Sequence, residues 1–239
     1  MWSLLKCILP LFFVATSATR YGVISMLVHD SPVSHVRMGQ LRVQATSMGL
    51  PFDYVNVTKA PPLWPYRLRS INIGFLSMLE RLRASKFEEG ILCEDDSQLH
   101  PRFLEELEKS RLAVGDYSIL GLCSLFIWTR HHPYEGKWRK EAAFPLTHME
   151  TDPSGRAFTE WPRFERYSYL GSNVIWPGTP TCLLVKNQHA IINTIQQEIY
   201  THINREIDLN MRGIALKNTK MRMLAVPQLC TENQQGAQV

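Results

Sequence analysis

Residues 90–109 read GILCEDDSQLHPRFLEELEK: a short apolar run, Gly90 to Cys93, stops on three consecutive carboxylates, Glu94, Asp95 and Asp96. Three like charges in a row repel one another, so the arrangement costs stability unless water, a cation or a positively charged ligand compensates. A short apolar run bounded by charge reads as a buried strand, which leaves the acids at its carboxyl end. In an open, doubly wound sheet, ligands gather outside that end. The flanking sequence decides whether the run belongs to such a sheet.

Upstream, Tyr21 to Val28 (YGVISMLV) is rich in β-formers and stops at HDSP, where Asp30 or Ser31 can cap a helix opened by Pro32 and ended near Gly49. PFDYVNVTK then alternates apolar and polar residues as a half-buried strand does. Past the break at APPLWP, the residues Ile71, Phe75, Met78, Leu79 and Leu82 recur on one helical face and predict an amphipathic helix from Arg67 to Ala84. Downstream, Pro101 marks a helix start within His100 to Val114. Phe103, Leu104, Leu107 and Leu112 fall on or near one side of it, with acids early and Lys109 and Arg111 late, as the helix dipole favours. DYSILGLCSLFIW has room for one or two interior strands. Strands alternating with helices imply an α/β layer with a mostly parallel sheet.

Residues 129–180 break the pattern with RHHPYEGKWRK and EWPRFERYSYLG, and predict an irregular insertion, either a functional loop or a disordered one; its aromatics argue for partial order. TCLLVK, NQHAIINTIQQEIYTHI and KMRMLAVPQL then restore strand, helix and short strand. With 239 residues, 45% of them hydrophobic, the chain can bury one sizeable core, and residues 19–239 are read as a single domain.

The N-terminal MWSLLKCILPLFFVATSATR carries Lys6, an apolar stretch from Cys7 to Ala15 and then small residues, as a secretory signal over residues 1–18 does. The expected location is the secretory pathway, in the ER or Golgi lumen or outside the cell. Lys6 and Pro10 leave fewer than the roughly 20 apolar residues of a membrane span, and no later run is apolar enough for one. The formal charge of +4 is scattered rather than gathered in a stripe, so no nucleic-acid footprint is visible. Cys93, Cys123, Cys182 and Cys230 have no CxxC or metal-ligand spacing. Cys93 and Cys123 lie in apolar runs, where a free buried thiol is the commoner reading; a secretory location permits disulfides, but spacing selects no pairing. Asn56-Val57-Thr58 is a glycosylation sequon. Adjacent His131 and His132 suit a solvated loop, and Trp128, Trp138, Trp161 and Trp176 suit either sugar stacking or loop anchoring. No Gly-x-Ser-x-Gly elbow, Walker loop or Rossmann glycine fingerprint occurs.

Oxygen-only ligands such as Asp95 and Asp96 suit Mg²⁺ or Mn²⁺, which proteins often hold through one or two carboxylates plus substrate phosphates. The competing reading is a solvated acidic turn that caps the next helix.

GILCEDDSQLHPRFLEEL also resembles the segment of glycosyltransferase family 25 in which an apolar strand runs into Glu-Asp-Asp and a proline-led helix. SPVSHVRMGQLRVQATSMGLPFDYVNVTKA is similar to that family's opening, NIGFLSMLERL to the helix before the acids, GTPTCLLVKNQHAIINTI to a late strand and helix, REIDLNM to the acidic stretch after it, and MLAVPQL to the closing strand. The segments follow in the family's order along most of the chain after the signal. The resemblance implies a GT-A type, Rossmann-like nucleotide-sugar-binding domain. It further implies inverting transfer of a hexose, galactose favoured, from a UDP-sugar to a hydroxyl of a glycan, lipid-linked or protein acceptor. It makes Asp95 and Asp96 the ligands of a divalent metal, Mn²⁺ favoured, makes Glu94 their support at the donor, and makes Asp208 the base. Leu27, Val28 and His29 stand where the family usually has Asn-Leu-Asp, Ser77-Met78 where it tends to have Ser-His, and Val57 to Ala60 lacks an acid often found there. A catalytically degenerate binding protein of the same fold and a carboxylate-metal phosphoryl hydrolase are the alternatives.

Overall fold

A computed structural model describes residues 20–58, 64–123, 126–130, 138–142, 149–151, 157–159, 175–178, 182–217, 223–225 and 229–232. The expected signal segment and most of the expected insertion lie outside them. The described pieces of the insertion are strands: β7 (Trp138–Ala142) and β10 (Ile175–Gly178) flank β6 (Phe126–Arg130), which runs into the insertion, in one antiparallel sheet, and β8 (Met149–Thr151) pairs with β9 (Ala157–Thr159).

The main sheet has six strands in the order β12-β5-β11-β3-β1-β2. Its strands are β1 (Tyr21–Val28), β2 (Phe52–Val57), β3 (Glu89–Cys93), β5 (Ile119–Cys123), β11 (Cys182–Lys186) and β12 (Met223–Ala225). β1 runs parallel to β2 and to β3, and β12 runs parallel to β5, while β11 lies antiparallel to both of its neighbours, β3 and β5. The mostly parallel α/β layer expected from the alternation is present, with one reversed strand at its centre.

Among the described residues five helices cover the sheet: α1 (Pro32–Ser47), α2 (Trp64–Ala84), α3 (Phe103–Val114), α4 (His189–Thr201) and α5 (Ile207–Lys217). Successive strand residues point to opposite faces, so the sheet separates two cores. Ile24, Met26, Leu92, Ile119 and Leu183 pack under α2, α4 and α5 with Leu79, Leu82, Ile195 and Met211. Val23, Ile91, Leu120 and Leu184 pack under α1 and α3 with Leu41, Ala45, Phe103 and Leu107. This three-layer arrangement explains why β3 and β11 are buried along nearly their whole length.

Local chemistry sets the helix ends. Ser31, not Asp30, caps α1, its hydroxyl accepting from the Ser34 amide at 3.3 Å, and Gly49 takes a left-handed conformation (φ 73°) just past the helix end. Within α2, which begins three residues before the expected Arg67, a Cβ on Gly74 would stand 2.9 Å from Val57 Cγ2. That close approach lays the helix against β1 and β2 beside the carboxyl ends of the strands.

Three expectations need correction. Pro101 does not open α3: it lies in a turn, and the helix begins at Phe103 behind Arg102. Leu112 is 84% exposed because it projects away from the face carrying Phe103 and Leu107. Cys93 is not a free thiol, since the antiparallel register of β11 on β3 sets it directly opposite Cys182, with Cα atoms 4.1 Å apart, and the two form a disulfide.

Candidate active site

The acidic triplet lies where β3 leaves the sheet. Glu94 to Ser97 form a tight turn closed by the Ser97 amide donating to the Glu94 carbonyl at 3.2 Å, and Glu94, Asp95 and Asp96 are all half-buried. Beyond the turn the chain does not enter a helix. It forms a short strand, β4 (Ser97–Leu99), paired with β13 (Cys230–Glu232), and α3 follows only at Phe103. The acids therefore do not cap α3, which has no side-chain cap.

β2, β1 and β3 are adjacent and parallel, so their carboxyl ends open on one side. A cleft of about 590 Å³ lies there. Its walls are the triplet from β3, Met26 and Val28 from β1, Val57 and Thr58 from β2, Ser31, Ser34 and Arg37 from the first turns of α1, and Arg67, Ser70 and Ile71 from the early part of α2. The volume falls within the range of small-ligand sites. Ile71, expected as one of the core positions of α2, faces this cleft instead.

Ser34 organises the triplet. Its hydroxyl accepts from the Val28 amide at 2.9 Å and lies beside the Asp95 carboxyl, favouring its charged form. Burial pushes the Asp95 carboxyl above the ordinary carboxylate range, against the pull of the Ser34 hydrogen bond and the nearby Arg37 guanidinium. Part of the answer to the repulsion within EDD is thus internal. The cleft still sets three carboxylates, Glu94, Asp95 and Asp96, against two guanidinium groups, Arg37 and Arg67. An anion entering it meets that acidic excess unless a cation enters too.

Among the described residues no three His, Cys, Asp or Glu side chains converge as a metal cage. The donor set fits the other mode of divalent binding, in which one or two carboxylates share the ion with phosphate oxygens of a bound substrate. Asp208 stands in the first turn of α5, and its side chain lies outside the described residues. The structure thus brings Glu94, Asp95 and Asp96 into the cleft wall and leaves the partnership of Asp208 with them open. Ser34, Arg37 and Arg67 went unnoticed in the sequence. Ser34 follows the capping Ser31 by three residues in SPVSHVR, which marks a helix start and carries no hint of a second role for its hydroxyl.

No protein-family model matches the chain, and no curated protein matches it by sequence. Its fold is similar to that of a crystal structure of a glycosyltransferase involved in the glycosylation of the major capsid of PBCV-1, at 8% identity, over 89% of this chain and 93% of that chain, with a TM-score of 0.50. Weaker likenesses are to a mutant of a Drosophila β1,4-galactosyltransferase 7 in complex with manganese, UDP-Gal and xylobiose (9% identity, 90% of this chain, 68% of that one, TM-score 0.40) and to mannose-1-phosphate geranyltransferase from Thermus thermophilus (10% identity, 87% and 74%, TM-score 0.36). The chain has the GT-A type, Rossmann-like fold of glycosyltransferases.

Proposed function

We propose that the chain is a glycosyltransferase of the family 25 type that moves a hexose, galactose favoured, from a UDP-sugar to an acceptor hydroxyl. The observation that carries this reading is the acidic turn at the carboxyl end of β3, lining a cleft with the first turns of α1 and with Arg67. The acceptor is a glycan, a lipid-linked sugar or a protein. Residues 19–239 act as one domain, and the chain works in the secretory pathway, a location favoured by the Cys93–Cys182 disulfide, since such bonds persist in oxidising compartments.

Asp95 and Asp96 are the residues that would hold a divalent metal, Mn²⁺ favoured, with Glu94 supporting them. Such an ion supplies positive charge to the leaving diphosphate. The Ser34 hydroxyl favours the charged form of Asp95, while Arg37 and Arg67 add positive charge to the walls the diphosphate would enter. In an inverting transfer the acceptor oxygen bonds to the anomeric carbon as the bond from that carbon to the diphosphate oxygen breaks. Asp208 is proposed to take the hydroxyl proton in that step.

Isothermal titration of the purified chain with UDP, with and without Mn²⁺, followed by turnover assays across UDP-sugars, tests the reading. Metal-dependent UDP binding with release of UDP from a UDP-hexose is the expected result. Binding without turnover on any donor and acceptor would assign the cleft to a degenerate, non-catalytic member of the fold. Hydrolysis of simple phosphomonoesters in preference to UDP-sugars would assign the acids to a phosphoryl hydrolase.

A further inference from the structure

Asn56-Val57-Thr58 is the one Asn-x-Ser/Thr sequence in the chain, and the fold gives it a particular place. It spans the end of β2, the outermost strand of the six-stranded sheet, so among the described residues one side of β2 has no strand beside it. Along a parallel strand, alternate residues turn their backbone groups to one neighbour. The Pro51 carbonyl accepts from the Val23 amide and the Val57 carbonyl from the His29 amide, so the alternate residues between them, Asp53 and Val55, share the inward side and Tyr54 and Asn56 face outward. The side chains follow the same alternation: Val55 and Val57 pack on the core under α2, whereas Tyr54, Asn56 and Thr58 are exposed.

An open strand edge invites pairing with another chain, and folded proteins blunt such edges with charge, bulges or covering groups. At Tyr54 the device is visible, because the outward amide donates to its neighbour Asp53 Oδ1 at 2.8 Å and the Asp53 carboxylate is paired with Arg81 at 2.6 Å. Two residues on, at Asn56, the exposed group is the carboxamide of the sequon.

We propose that Asn56 carries an N-linked glycan and that this glycan closes the carboxyl half of the β2 edge. The inference rests on the secretory reading above. In the modification, the Asn56 carboxamide nitrogen bonds to the anomeric carbon of a lipid-pyrophosphate-linked oligosaccharide supplied by the host. The bond from that carbon to the pyrophosphate oxygen breaks, the lipid pyrophosphate departs, and the carboxamide gives up one proton. Thr58, exposed two residues on, supplies the hydroxyl that the sequon requires.

The test expresses the full chain in eukaryotic secretory cells in two forms, one with its own residues 1–18 and one with these replaced by a strong secretory leader. Intact mass is read before and after peptide-N-glycosidase in heavy-oxygen water. Both forms should lose one glycan and show Asn56→Asp with heavy oxygen incorporated. Asn56→Gln should abolish the shift, and Thr58→Ser should keep it. An unmodified Asn56 in the secreted, leader-replaced chain overturns the site. A glycan on the leader-replaced form alone overturns the proposal through its secretory premise, leaving the acceptor geometry intact. The edge-closing role predicts that Asn56→Gln self-associates at concentrations where the glycosylated chain sediments as a single species. Equal sedimentation of the two overturns that role.

Discussion

Ser34 stands between Asp95 and the end of the first strand: its hydroxyl accepts from the Val28 amide at 2.9 Å and favours the charged form of the Asp95 carboxyl beside it. Because Ser34 is 3% exposed, water cannot readily replace it. Ser34→Ala should cost about 1–3 kcal/mol, the range for leaving buried polar groups without their partner. It should also weaken metal-dependent UDP binding by withdrawing that support from the charged form of Asp95. Urea denaturation of the metal-free chain and a UDP titration with Mn²⁺ measure the two effects, and loss of stability with binding untouched would remove Asp95 from the site.

Neutralising the triplet separates a ligand site from a structural turn. Asp96→Asn keeps size and removes one of three repelling charges, so the metal-free melting temperature should hold or rise while Mn²⁺-dependent UDP binding falls. A drop of several degrees with binding intact would make the triplet structural.

The raised proton affinity of Asp95 adds a pH signature. Its folded-state pKa lies above the unfolded one, so its contribution to stability is full below the unfolded value and is lost as pH rises through the folded value. Metal binding has the opposite dependence, since the ligand must be deprotonated. Mn²⁺-dependent UDP affinity should therefore weaken as pH is lowered into the range just above ordinary carboxylate values. Asp95→Asn should flatten the metal-free stability profile over that same range.

Asp208→Asn should spare metal and UDP binding yet depress turnover, because a base acts on the acceptor and not on the diphosphate. Comparison of UDP affinity with the rate of hexose transfer reads this directly. Equal turnover in the variant and the parent would remove Asp208 from the chemistry.

At the opposite end of the sheet Glu89 is 5% exposed and binds both Arg111, at 3.2 Å, and the Tyr117 hydroxyl, at 2.8 Å. Burial and the neighbouring carboxylate hold the Tyr117 phenol protonated. Arg111→Met strands a buried carboxylate and should cost about 3–5 kcal/mol. Glu89→Gln combined with Arg111→Met should recover part of that loss, as chemical denaturation of single and double variants would reveal. UDP affinity of the folded fraction should not change, since these residues stand away from the cleft.

The layer architecture was legible because strand and helix periods are local: YGVISMLV, GILC and the Phe75 to Leu82 stripe each declare their own burial. Reversal of β11 was not, because direction in a sheet depends on the connection, and the long segment between β5 and β11 has no regular period. The Cys93–Cys182 bond was hidden for the same reason, since it follows from the register of that reversed strand. At the site, consecutive acids at a strand end are visible in one line of sequence. Ser34, Arg37 and Arg67 join them only through tertiary packing of α1 and α2, and no periodicity distinguishes a cleft-facing serine from a helix cap.

The central placement of β11 bears on how the chain acquires its structure. β1, α1, β2, α2 and β3 are contiguous, and their strands pair among themselves within residues 21–93. β3 and β5, in contrast, touch no common strand until β11 arrives from residues 182–186. Contacts so far apart in the chain close slowly, because the entropy of the intervening loop is lost before any pairing is gained. On a ribosome the segment bearing the acidic turn emerges first and holds an unpaired inner edge along β3 until the last quarter of the chain is made. The 93–182 bond, which pairs β3 with that late strand, would record that β11 had docked.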